Sequence, residues 1–212
     1  MYKSSQDFPF TADLEANWIT IRRELEQLSD RNFVEWPEKH LYKHGWDIFG
    51  LYAFGMKLDK NCQLCPETTQ LIEQIPHLVT AGFSSLKVGT HITPHTGYPD
   101  GVLRCHLGLI GCDGCALRVG AETRGWQEGK TLIFDDTTEH EAWNRGTQTR
   151  IVLLLDFKYS PDSKDTDSHN LEDKSIWELF KGVLPSFNKR SEILPPRQLA
   201  KQKGDESDQK IN

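Results

Sequence analysis

The feature that most constrains this chain is a succession of short strand-like runs, each closed by a turn signal. Val79–Val88, Val102–Gly111, Ala116–Gly120, Thr131–Phe134, Glu139–Trp143 and Thr149–Phe157 carry the branched and aromatic residues that suit a pleated backbone. Pro94, Tyr98-Pro99-Asp100-Gly101, Asp113-Gly114, Glu128-Gly129 and Arg145-Gly146 mark reversals around them. Short strands with frequent reversals bury their apolar faces by folding into a sandwich or barrel. The expectation is a mainly β protein with flanking helices.

The helices fall on the N-terminal side. Leu14, Trp18, Ile21, Leu25 and Leu28 recur at helical spacing, which predicts one helix over Ala12–Leu28 with Thr11 or Asp13 as its cap. A second, shorter helix follows Pro66, turns Leu71, Ile72 and Ile75 inward and stops at Pro76. Asp47–Phe54 reads as a strand between them. We expect residues 1–160 to form a single catalytic domain with its β core over about 78–158. Residues 161–212 read as an extension, with one amphipathic helix over Ser175–Val183 and a polar, disordered tail.

A chain of 212 residues is enough for one sizeable domain. Its net charge of −6 argues against a nucleic-acid partner. No apolar run approaches the ~20 residues of a membrane span, and the first residues lack the apolar stretch of a secretory signal. Cytoplasmic location is the expectation. The sequence sets no oligomeric state.

Two strands carry polar residues in suggestive places. In Val102–Gly111, Leu103, Cys105, Leu107 and Leu109 point one way, and Arg104 and His106 the other. That second face is either the exposed side of an edge strand or a buried one, where an arginine and a histidine need an anionic or polar partner. In Thr149–Phe157, Arg150 shares a face with Val152 and Leu154, and a buried arginine commonly grips a carboxylate or phosphate. Ten residues before it stands His140, and earlier still His95. Each histidine alone is weak evidence. The order of an early His, a late His and an Arg one strand later suits a non-haem iron site, which leaves positions open for a keto-acid and dioxygen.

The run Ser84–Phe157, about a third of the chain, resembles the catalytic domain of the aspartyl/asparaginyl β-hydroxylase family. The matching segments are Pro94-His-Thr-Gly97, Leu103-Arg-Cys-His-Leu-Gly-Leu109, Glu122-Thr-Arg-Gly-Trp126, Trp126-Gln-Glu-Gly-Lys130, Leu132-Ile-Phe-Asp-Asp136 and Glu139-His-Glu-Ala-Trp143. The resemblance implies a double-stranded β-helix (a jelly-roll, cupin-like fold), with iron(II), 2-oxoglutarate as co-substrate and dioxygen. It implies His95 and His140 as iron ligands, and Arg150 with Ser84 holding the distal carboxylate of 2-oxoglutarate. Arg104 and His106 match positions that line the cofactor pocket. Gly97 stands where many 2-oxoglutarate oxygenases carry a third, acidic ligand, and this family also carries glycine there. The implied reaction hydroxylates an unactivated carbon of an amino acid or of an aspartyl/asparaginyl-type side chain, free, carrier-bound or in a peptide. Asp135, Asp136, Glu139 and Glu141 are candidates to orient the histidines, and Asn32–Phe54 with the Arg104 region to read the substrate.

Two other readings stay open. Cys62/Cys65 and Cys112/Cys115 are two C-x-x-C pairs among five cysteines, and such pairs can make a Cys₄ zinc site. Their separation exceeds the ~15–20 residues of compact zinc ribbons, and Asp113-Gly114 also suits a plain hairpin turn. A non-catalytic cupin-like binding protein would share the β pattern without needing Arg150.

Overall fold

The computed structural model describes residues 1–97 and 101–159. The expected Ser175–Val183 helix and the tail lie outside them.

Two antiparallel sheets pack face to face. The larger contains β1 (Tyr2–Lys3), β2 (Val34–Glu35), β3 (Trp46–Ala53), β4 (Met56–Lys57), β5 (Leu78–Leu86), β7 (Val102–Ile110), β10 (Thr131–Asp135) and β12 (Arg150–Lys158), in the order β1-β10-β7-β12-β5-β3-β2 with β4 beside β3. The smaller runs β6-β11-β8-β9, formed by β6 (His91–His95), β8 (Cys115–Val119), β9 (Glu122–Gly125) and β11 (His140–Asn144). From β5 to β12 the chain crosses between the sheets at every step except the β8–β9 hairpin, which makes the double-stranded β-helix. No helix of the described residues is long and apolar enough to cross a membrane.

The larger sheet separates two apolar layers. Its outer face, with Phe49, Phe83, Cys105, Leu107, Leu153 and Leu155, is covered by α1 (Phe10–Ala16), α2 (Trp18–Gln27), α3 (Asp59–Cys62) and α4 (Pro66–Ile72). Its inner face, with Ile48, Leu86, Phe134, Val152 and Leu154, meets Ile92, Leu117, Val119 and Ala142 of the smaller sheet. The alternation read from Val102–Gly111 holds, since Leu103, Cys105, Leu107 and Leu109 all join the outer layer. β7 lies between β10 and β12, so Arg104 and His106 are buried rather than displayed on an edge.

Three sequence expectations change. The single helix over 12–28 is two helices, broken at Asn17. Both the backbone N–H and the side-chain amide of Asn17 donate to the Asp13 carbonyl, at 3.1 and 2.8 Å, a local competition that ends the helical ladder. His91–His95, read from sequence as a turn region around Pro94, is a strand. Among the described residues it pairs only with β11, and an edge position tolerates a proline that cannot donate to the ladder. The two C-x-x-C pairs do not meet: Cys62 and Cys65 sit in the outer layer, and Cys112 and Cys115 in the inner one.

Candidate functional site

A cavity opens between the sheets, lined by Trp46, Ser84, Ile92, His95, Arg104, His106, Leu117, Trp126, Phe134, His140, Ala142, Arg150 and Leu154. All six residues expected at the site are there. They arrive from five strands, and pairing fixes their places: His140 faces His95 across β11 and β6, Leu154 faces His106, Asp156 faces Arg104, and Val152 faces Ser84.

The histidine pair depends on a bulge. Between the His140–His95 and Ala142–Ile92 positions, β6 has one residue more than β11. Ile92 faces inward, so strict alternation would send His95 outward. The extra residue returns it to the inner side, as bulges do where a strand must re-aim a side chain. The ring centroids of His95 and His140 are 4.2 Å apart. Nδ1 of His95 lies 2.8 Å from the Thr93 carbonyl, and Nδ1 of His140 lies 2.9 Å from the Thr138 carbonyl. A carbonyl only accepts, so each Nδ1 carries the proton and each Nε2 keeps its lone pair, the tautomer a metal ligand requires. Burial lowers both pKa values, and His140, which also feels His95 and Arg104, falls to about 3. Both rings are neutral at neutral pH.

Asp136 completes this end of the cavity. It is fully buried, with Oδ1 3.5 Å from His140 Nε2 and 3.1 Å from Arg104 Nη1. A Cβ built at Gly97 would lie 1.7 Å from Asp136 Oδ2. The space a third ligand from position 97 would need is filled by the Asp136 carboxylate, which is why glycine stands there. The sequence offered Asp136 as one of four equivalent acids, and only the fold selects it.

At the other end, Arg150 is 2% exposed. Its Nε and Nη1 have no hydrogen-bond partner among the described residues. Trp126 lies 4.6 Å below its guanidinium carbon, and burial pushes its pKa down to about 10. A buried cation without a carboxylate is costly, so the site is built for an anion. Beside it, Trp126 Nε1 donates to His106 Nδ1 at 3.2 Å. That bond places the His106 proton on Nε2, a buried donor with no partner among the described residues. Burial and both arginines hold the His106 pKa well below its ordinary value. Ser84 accepts from Trp46 Nε1 at 3.1 Å, which leaves its own hydroxyl proton to donate.

Arg104 differs from Arg150. Its Nε and Nη2 make a bidentate pair with Asp156 at 2.6 and 2.9 Å, and Nη1 meets Asp136. The anion that sequence reasoning demanded for Arg104 is supplied by the protein. Asp156 and Trp126 were given no role from sequence, because their partners are 52 and 20 residues away.

These residues fit the groups the resemblance implies. Two imidazoles with free Nε2 atoms suit a divalent metal, and Arg150, His106 and Ser84 offer donors for an anionic, oxygen-rich ligand. No group of three or more His, Cys, Asp or Glu side chains among the described residues has a metal-holding arrangement.

The chain is also similar in sequence to known proteins. Residues 15–160 match the family described as aspartyl/asparaginyl beta-hydroxylase. The ornithine lipid ester-linked acyl 2-hydroxylase of Rhizobium tropici is 42% identical over 161 residues, covering 71% of this chain and 57% of that protein. The human aspartyl/asparaginyl beta-hydroxylase is 38% identical over 154 residues, covering 68% of this chain and 20% of that protein. The chain thus spans only part of the length of these relatives. Among solved structures, a cupin domain of an XRE-family transcriptional regulator from Enterobacter cloacae aligns with a TM-score of 0.40 at 14% identity, covering 55% of this chain and 99% of that one.

Proposed function

This chain belongs to the aspartyl/asparaginyl β-hydroxylase family, and from that premise we propose that it is an iron(II)- and 2-oxoglutarate-dependent dioxygenase that hydroxylates an unactivated carbon. The observation that carries the reading is the pairing within one cavity of two imidazoles with free Nε2 atoms and a buried arginine without an anion. His95 and His140 would hold the iron, with Asp136 beside His140 as the nearest carboxylate. Arg150 and Ser84 would hold the distal carboxylate of 2-oxoglutarate, and the Nε2–H of His106 would donate to the same ligand. When bound, iron, dioxygen and 2-oxoglutarate supply the oxidising power, with succinate and carbon dioxide as by-products.

The protein contributes orientation and shielding. The Thr93 and Thr138 carbonyls fix both ligand tautomers. Trp46, Ile92, Leu117 and Phe134 keep the cavity walls apolar, which excludes water from the reacting centre.

For the substrate, the reading from sequence is an amino acid or an aspartyl/asparaginyl-type side chain, free, carrier-bound or peptidic. A specific observation favours a second reading. Arg104 is already bound by two carboxylates, so among the described residues Arg150 is the cavity cation without one, and a substrate carboxylate meets no second partner there. The apolar walls suit an alkyl chain, and the Rhizobium relative is named for acyl 2-hydroxylation.

The test is an anaerobic titration of iron(II) and 2-oxoglutarate into metal-free protein, followed by the weak visible charge-transfer band of the chelate. The band is expected in the parent, absent in His140→Ala and weakened in Arg150→Ala. A parent without the band overturns the assignment. Succinate release with acyl-chain and amino-acid substrates in parallel then separates the two substrate readings.

A further inference from the structure

The Cys112/Cys115 pair remains outside the chemistry above, yet it sits against the arginine on which that chemistry depends. Both thiols are buried in the inner layer, beneath the exposed turn residues Asp113 and Gly114. The turn is closed by a bond from Cys115 N–H to the Cys112 carbonyl at 3.3 Å, with Gly114 at φ +72°. A β-turn brings its first and fourth Cα atoms within about 7 Å, against the roughly 4.4–6.8 Å a disulfide bridges. Each thiol leans on a carbonyl of the segment that leads into the turn, Cys112 on Ile110 and Cys115 on Gly111.

The turn has no slack toward β12. A Cβ at Gly111 would lie 2.3 Å from the Thr149 carbonyl oxygen and 3.4 Å from the Arg150 Cα. One at Gly114 would lie 2.6 Å from the Gly146 Cα. The Arg145 N–H donates to the Gly114 carbonyl at 2.9 Å. The turn is therefore wedged against the segment that leads from β11 into Arg150.

We infer that Cys112 and Cys115 form a reversible dithiol–disulfide pair whose state sets how tightly Arg150 holds its anion. The anion part rests on the function proposed above; the dithiol part does not. The oxidant is a low-molecular-weight disulfide. One cysteine thiolate attacks it, expels one small thiolate and leaves a mixed disulfide. The second cysteine thiolate then attacks the mixed disulfide and expels the other. The pair loses two electrons to the oxidant, and the two cysteine protons end on the two released thiols. Drawing the sulfurs to bonding distance distorts the turn, and the close packing passes the distortion to Arg150. Burial raises both thiol pKa values, Cys112 to about 11, while the Arg150 charge pulls both down. An anion on Arg150 weakens that pull and protects the thiols. Cys62 and Cys65 lie in the outer layer, away from Arg150.

The test equilibrates metal-free protein in glutathione redox buffers and maps the products by peptide mass. It also follows 2-oxoglutarate binding by tryptophan fluorescence, since Trp126 stacks on Arg150. The expected result is a peptide containing Cys112 and Cys115 that lacks two hydrogens, with about tenfold weaker 2-oxoglutarate binding that dithiothreitol restores. The double variant Cys112→Ser/Cys115→Ser should bind like the reduced protein and ignore the buffer. By reciprocity, saturating 2-oxoglutarate should shift the pair's potential by about 30 mV. Absence of the cross-link, a cross-link without a change in binding, or the same loss in the double variant overturns the inference. If the reduced protein binds no 2-oxoglutarate either without metal or with anaerobic iron(II), the function proposed above fails instead. The inference is then judged on the cross-link and on Arg150→Met, which should slow the exchange of both thiols with glutathione disulfide; an unchanged rate overturns it.

Discussion

Replacing Arg150 with methionine should make the metal-free protein more stable while removing its response to 2-oxoglutarate. Arg150 is 2% exposed, and burial lowers its pKa from the ordinary value to about 10. That fall corresponds to roughly 3 kcal/mol of cost in keeping the charge inside the fold. The guanidinium recovers about 1 kcal/mol by lying over Trp126. Methionine fills similar volume with an adaptable apolar side chain, so the net gain should be about 2 kcal/mol. Urea unfolding of parent and variant measures it directly. In the parent, 2-oxoglutarate at a hundred times its dissociation constant should add about 2.7 kcal/mol; in Arg150→Met the addition should vanish. A variant destabilised by more than about 1 kcal/mol would refute the argument that Arg150 is an uncompensated buried cation. A variant that keeps the full ligand response would refute its role as the anion's partner.

Three further outcomes follow from the geometry. Asp156→Ala strips Arg104 of its bidentate partner and should cost about 3–5 kcal/mol in urea unfolding; a cost below about 1 kcal/mol would refute the buried pairing of the two charges. Stability should fall as pH falls. His140 has a folded pKa of about 3 against 6.5 ordinarily, so between those values the unfolded chain binds the extra proton and gains from it. The loss should reach about 2 kcal/mol at pH 5 relative to pH 7.5, and His140→Gln should flatten the profile. Gly97→Ala should destabilise by more than about 2 kcal/mol, because its Cβ would lie 1.7 Å from Asp136 Oδ2. A normal melting temperature in that variant would refute the close approach of the two residues.

Much of this protein is legible from residues that are neighbours in the chain. The alternation in Val102–Gly111 separated Arg104 and His106 from the outer-layer leucines, and the alternation in Thr149–Phe157 put Arg150 with Val152 and Leu154. Both hold because a strand buried on two faces obeys a period of two whatever it pairs with. The motifs around His95 and His140 likewise marked both residues before any contact was known.

What the sequence left open are features decided by pairing between distant segments. Ser175–Val183 lies beyond the described residues. The strand His91–His95 was unreadable because its proline is acceptable only on an edge, and edges are a property of the finished sheet. The bulge that returns His95 to the cavity exists only in register with β11. Arg104 looked like a cation awaiting a ligand until Asp156, 52 residues away, was placed opposite it. Asp136 became distinct from its acidic neighbours only when Gly97 left room for its carboxylate. Local period and composition determine which face of a strand a side chain takes; which charge meets which partner is decided by tertiary packing, since electrostatic and steric contacts depend on distance in space rather than along the chain.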